Sequence, residues 1–184
     1  MISSIQNLYC SVIGLITRLT DGWFLSLAAR LVFLSVFFFY YLNSFFTKVG
    51  EGFTGFFQIQ DGAYYQIVPA AMEAAEYDKA NVSLLADLMV FFGTYMEIIL
   101  PILVVVGLLT RLSALGMIGF IAVQTFVDIQ FHGADEKTIG AMFDRFPDAA
   151  ISDQRILWVF VMVVLVIKGG GYLSLDRLFI KRSA

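Results

Sequence analysis

An all-α integral membrane fold, a four-helix bundle preceded by an amphipathic interfacial helix, is predicted by three observations. Of the 184 residues 59% are hydrophobic and 16% aromatic, and the mean hydropathy is +0.82; soluble domains are roughly 45–50% apolar. Four apolar stretches, 23–46, 87–107, 112–131 and 156–173, approach the about 20 residues that cross a hydrocarbon core of about 30 Å. Together they leave little chain for a soluble unit, so residues 1–184 read as one membrane domain. A net charge of -3 offers no basic surface for nucleic acid, and the bilayer is the expected partner.

Residues 1–21 come first. Ile5, Leu8, Val12, Leu15 and Leu19 recur at helical spacing, while Ser4, Asn7, Ser11 and Arg18 fall opposite, the pattern of a helix lying in the interface plane. No basic residues precede its apolar positions and no small-residue cleavage site follows, so it does not read as a cleavable signal. Asp21-Gly22 separates it from the first span.

That span, 23–46, carries Arg30. The loop from 47 to 86 is long, rich in glycine and interrupted by Pro69, and its "YYQIVPAAMEAAEY" suits a short helix resting on the bundle. Only Leu108 to Arg111 join the second and third spans, which makes those helices antiparallel neighbours. The loop from 132 to 155 is acidic, and "KGGGY" closes the fourth helix, since glycine tolerates the left-handed conformation of a C-cap.

Orientation follows the positive-inside rule. With both termini cytoplasmic, Arg18, Arg111, Arg177, Lys181 and Arg182 lie inside and Lys48, Lys79, Lys137, Arg145 and Arg155 outside. The counts tie, but the inner set is packed closer to the spans. Trp23 and Tyr172 then mark the inner aromatic belt, and Tyr41 and Trp158 the outer one.

Single residues exclude several chemistries. Cys10 is the one cysteine and His132 the one histidine, so the chain alone runs no dithiol relay and holds neither a bis-histidine haem nor a three-histidine zinc. The 7 methionines are scattered and read as core filler.

Ionisable groups inside spans are costly and so mark function by default. Arg30 and Glu97 fall at depths that differ by about 5 Å at 1.5 Å per residue, which predicts a buried pair between helices, with Lys168 joining or snorkelling. The pair serves either as a functional polar site between the helices or as a lock on helix register. A second group, Lys48, Asp87, Asp128 and Arg155, gathers at the outer helix ends as a structural polar cluster. Asp128 sits where the helix dipole disfavours an anion, so it needs Arg155, Lys48 or protonated His132 as a partner. Gln124, one turn earlier, extends that face inward. Asp128 and His132, at i and i+4, are weak metal candidates, too few ligands for a site by themselves.

"ARLVFL" with Arg30, Lys48 at the end of the first helix, Glu97, "GLLTRLSALG" at 107–116 and "KGGGYLSLD" at 168–176 resemble the DoxX family of small four-helix bacterial membrane proteins, over about residues 23 to 177. "FDRFPDA" and "DQRILWVF" are similar to a subset found beside genes for metal-stress peptides and their modifying iron enzymes. The resemblance implies a multi-pass protein of the bacterial inner membrane tied to redox, sulfur or metal-stress physiology, some relatives being small subunits of thiosulfate:quinone oxidoreductases. Two roles follow as expectations. One is an accessory, non-catalytic subunit of a redox system with quinone as its cofactor and with Arg30, Glu97 and Lys168 forming a polar seat between helices for a quinone head group or a proton, working with other membrane or periplasmic proteins or as a homo-oligomer. The other is a binding or transport component in copper or thiol stress.

Overall fold

The computed structural model describes residues 2–180. Lys181 and Arg182, counted above for orientation, lie outside the described residues, as does the side chain of Ser4. Among the described residues the regular structure is helical, apart from one isolated antiparallel bridge, Val49 to Ile59. Three helices are long and apolar enough to cross a membrane: Phe24–Phe46, Leu84–Val106 and Thr110–Gln130, with mean hydropathies of 1.9, 2.2 and 1.7. These spans and the family described below make this a membrane protein.

Helix α1 is Ile2–Thr20, and the first span follows as α2, Phe24–Phe33, a π-helical turn over Leu34–Phe38, and α3, Phe39–Phe46. The turn has a reason in the sequence. Phe33, Phe37, Tyr41 and Phe45 are all buried at four-residue intervals, a spacing that drifts around a helix of 3.6 residues per turn. A wider turn absorbs that drift and keeps the four rings on one face.

Three short helices, α4 Gly52–Gly55, α5 Asp61–Ile67 and α6 Pro69–Ala74, and a 3₁₀ turn at Lys79–Asn81 occupy the first long loop. Ala63, Tyr64 and Met72 pack with Val90 in a small core of their own, so "YYQIVPAAMEAAEY" rests on the second span. Helix α7, Leu84–Val106, begins three residues before the expected start because the Ser83 hydroxyl caps it, accepting from the Ala86 amide at 3.3 Å. Asp87 is thereby placed in the first turn, where it accepts from the Tyr64 hydroxyl at 2.8 Å. Burial pushes the Tyr64 phenol up to about 12, and the Asp87 bond acts in the same direction.

Helix α8 is Thr110–Gln130, α9 Glu136–Ile139, α10 Gln154–Lys168 and α11 Leu175–Ile180. The α10 bounds correct the expected span of 156–173. Gly169 takes φ +73° and ends the helix, so the last five residues of that apolar run form a loop. Lys168 is the last helical residue rather than one five positions inside. With 15 residues, α10 extends about 22 Å and falls short of the other spans.

α10 packs on α8 and α2, and α7 packs on α8 and α3. The shared core holds Phe33, Phe37, Tyr41, Val104, Met117, Met162 and Leu165. Lipid is as apolar as these side chains, so their contacts stabilise the structure through close packing rather than removal from water. Tyr41 is 1% exposed, and the half-buried Trp158 lies edge-on to Tyr40 and Tyr41 and tilted against Phe37. Tyr41 is therefore a core residue rather than part of an outer aromatic belt. α1 stands apart, with Ile5, Leu8, Val12, Leu15 and Leu19 exposed along with Asn7 and Ser11.

Candidate functional site

Charges that the sequence divides between one deep seat and one outer cluster are sorted by the structure into three places. Arg30 belongs to the end where α7 turns into α8. Its Nε and Nη2 donate to the Val105 carbonyl at 3.1 and 2.8 Å, and its Nη1 donates to the carbonyls of Gly170 at 3.1 Å and Leu173 at 2.5 Å. The guanidinium thus closes the C-terminal end of α7 and the loop after α10 in one knot, meeting carbonyls that no helix bond satisfies. Asp176 completes the knot from the other side, accepting from the amides of Leu109 at 2.6 Å and Thr110 at 2.9 Å. A carboxylate there faces the positive end of α8.

Gly107 makes room for this arrangement. It takes φ +70° as the C-cap of α7, and a Cβ there meets the Arg30 guanidinium carbon at 3.0 Å and Ser174 Cβ at 2.6 Å. Only glycine combines that conformation with that approach.

Glu97 is elsewhere. Its Oε2 lies 3.0 Å from Lys48 Nζ and its Oε1 accepts from the Ser44 hydroxyl at 3.2 Å. Lys48 also donates to the Ser44 hydroxyl at 2.8 Å and to the Ser44 carbonyl at 3.1 Å. The lysine is 2% and the glutamate 7% exposed. The expected Arg30–Glu97 pair is corrected accordingly: each is paired, but with different groups, because the arginine reaches back to the helix ends while α3 brings Lys48 over Glu97. Pro101 lies one turn on in α7 and supplies no N–H to the Glu97 carbonyl, so the backbone at Glu97 is also left one donor short.

The third group joins α8 to α10. Asp128 Oδ2 accepts from Arg155 Nη2, and Arg155 Nη1 donates to Thr125 Oγ1 at 2.8 Å. His132 Nδ1 lies 3.0 Å from Asp128 Oδ1. The four-residue polar cluster expected at the outer ends is consequently not one cluster: Lys48 serves Glu97, Asp87 serves Tyr64, and only Asp128 and Arg155 meet. Among the described residues, no three His, Cys, Asp or Glu side chains converge as metal ligands.

Two of the three groups border one cleft. Between α7 and α8 lies a space of about 580 Å³ with walls that include Met96, Leu100, Phe120 and Val123. Its polar points are Glu97, Gln124 and Asp128 on the two helices and Gln66 beside the α5–α6 junction. Gln124 is oriented by a 2.7 Å bond from its Nε2 to the Tyr40 hydroxyl and by the Tyr41 hydroxyl, 3.4 Å from its Oε1. An apolar slot with a few fixed donors and acceptors suits a lipophilic molecule with a polar head. Lys168 is outside this cleft, at the knotted end.

Sequence reasoning missed the role of Asp176, although a carboxylate shortly after the last helix is a signal for capping a neighbour. It also missed Ser44, one helical turn before Lys48, and Gly119, which lines the cleft with nothing within 4 Å of its Cβ position.

A family model of DoxX matches residues 25–133, more than half of the chain. The protein belongs to the DoxX family. The match takes in Arg30, Lys48, Glu97, Gln124 and Asp128 and stops short of Arg155 and of "KGGGYLSLD". No curated protein and no solved structure matches it.

Proposed function

We propose that this protein is an accessory, non-catalytic subunit of a redox or stress-response system in the bacterial inner membrane, and that the α7–α8 cleft seats a quinone. The observation that carries the reading is the placement of Glu97 and Gln124 on facing walls of an otherwise apolar cleft. A quinone carbonyl takes a hydrogen bond and a quinol hydroxyl donates one; the Gln124 amide and the Glu97 carboxylate offer one group for each. Lys48 and Ser44, which hold the carboxylate, are positioning residues. Lys48 takes the place in the seat first given to Arg30 and Lys168.

The same reading makes α10 a fourth crossing, with local thinning of the bilayer accommodating its shorter length. α1 lies in the interface with its exposed apolar residues toward the acyl chains, and both termini are cytoplasmic. Partner membrane proteins or a second copy cover part of the outward surface. The alternative in copper or thiol stress has less support, since Asp128 is already engaged by Arg155 and His132.

The test is extraction of the protein in native-lipid discs, identification of co-purified quinone, and titration with a short-tail quinone. Wild type is expected to carry quinone, and Glu97→Gln to bind it about tenfold more weakly, the worth of one hydrogen bond to a charged group. A native-lipid preparation without quinone, or equal affinity in the two proteins, overturns the reading.

A further inference from the structure

The knotted end carries a second recess of about 610 Å³, bounded by the α7–α8 turn, the end of α10 and the glycine loop after it. Arg111, Lys168 and Arg177 line it, and all three are exposed. Among the described residues none of them is in an ion pair. Arg177 stands 4.4 Å over the Tyr172 ring, which fixes its position without neutralising it. The one carboxylate of the recess, Asp176, has both oxygens on the amides of Leu109 and Thr110, so it is turned to the helix end. Thr110, also in the lining, is fully buried and its hydroxyl has no hydrogen-bond partner.

Location defines the ligand further. The recess lies where α7 ends, α8 begins and α10 ends, which for membrane helices is the level of lipid head groups. Leu109 and Leu112, 57% and 65% exposed, flank it and give acyl chains an apolar contact. Three unneutralised cations around a recess at this level match a phosphate ester, and basic pockets between helix ends are suited to anionic lipid heads.

We propose that this recess binds the phosphate head group of an anionic phospholipid, held by Arg111, Lys168 and Arg177. It is separate from the α7–α8 cleft and does not depend on what that cleft holds.

The full chain, purified in a neutral detergent, is titrated with phosphatidylglycerol, with phosphatidylcholine and with inorganic phosphate, and bound species are counted by native mass spectrometry. The proposal expects phosphatidylglycerol to be retained over phosphatidylcholine. It expects the triple variant Arg111→Gln, Lys168→Gln, Arg177→Gln to lose about a hundredfold in that retention, each cation near a lipid head contributing about fivefold. Because the three side chains are exposed, the variant keeps the wild-type unfolding temperature. Arg111→Lys with Lys168→Arg, which keeps the charges, retains binding. Equal retention of the two lipids, or undiminished phosphatidylglycerol binding by the triple variant, overturns the proposal. Inorganic phosphate binding as tightly as the lipid overturns the lipid assignment and identifies the site as one for a free anion.

Discussion

Two points along α7 bury charge in opposite ways. At the C-terminal end Arg30 makes four hydrogen bonds to three backbone carbonyls, and Asp176 closes the facing amides. Midway along the helix, Glu97 is held by Lys48 and Ser44 and also borders an open apolar cleft. A buried charge is therefore not a functional sign by itself. What separates the two is whether the group's surroundings are closed by the chain's own backbone or left open to something else. By that criterion Arg30 is a structural lock and Glu97 the candidate site residue.

The largest effect that would break this comparison is loss of the lock. Arg30→Leu is expected to destabilise the protein by about 5 kcal/mol, since several charge-assisted bonds worth roughly 1.5–3 kcal/mol each are removed together and three carbonyls lose a donor. Unfolding of the purified protein in detergent checks it; a loss below about 1 kcal/mol would show that the knot is not what holds the helix ends.

Next comes Lys48→Met, which leaves Glu97 without its cation. The expected loss is about 3 kcal/mol, the penalty for stranding one member of a buried pair. Adding Glu97→Gln is expected to recover most of it, because the unpaired charge is then gone. Simple addition of the two single effects in this double-mutant cycle would mean that the residues are not coupled.

The smallest effect is at Asp176. Asp176→Asn retains an acceptor for one amide and loses the charge at the α8 N-terminus, for an expected loss of about 1 kcal/mol. Quinone affinity should be unchanged in this variant, and a tenfold fall in it would mean that the two regions are not independent.

The membrane class, three spans and the tight turn between the second and third were legible because they rest on apolar run length and on turn residues. The end of α10 was misread for a definite reason: Leu173 and Tyr172 continue the apolar composition beyond Lys168, but Gly169 has already left the helix. Depth along a span placed Arg30 and Glu97 at similar levels and gave no direction around the helix. The arginine's reach to the loop after α10 and the lysine's reach over α7 are tertiary facts that one-dimensional spacing does not contain. Asp128 was the more readable residue. Its conflict with the helix dipole required a partner, and the structure provides Arg155 and His132. The α8 face of the cleft was legible in Asp128 and Gln124, while the apolar wall that α7 sets opposite it depends on tertiary packing that one-dimensional spacing does not contain.

Gly119 offers the most direct test of the central claim, that the α7–α8 cleft is a ligand seat rather than loose packing. Gly119 lines the cleft and a Cβ there meets nothing within 4 Å, so Gly119→Leu has room to begin its side chain at the cleft wall and narrow the space, and replacing a glycine inside a helix adds a few tenths of a kcal/mol or more to stability. Titration of wild type and Gly119→Leu with a short-tail quinone, alongside their unfolding temperatures, should show binding lost at least tenfold while stability is kept or raised. Unchanged quinone affinity in a stably folded Gly119→Leu protein would contradict the account.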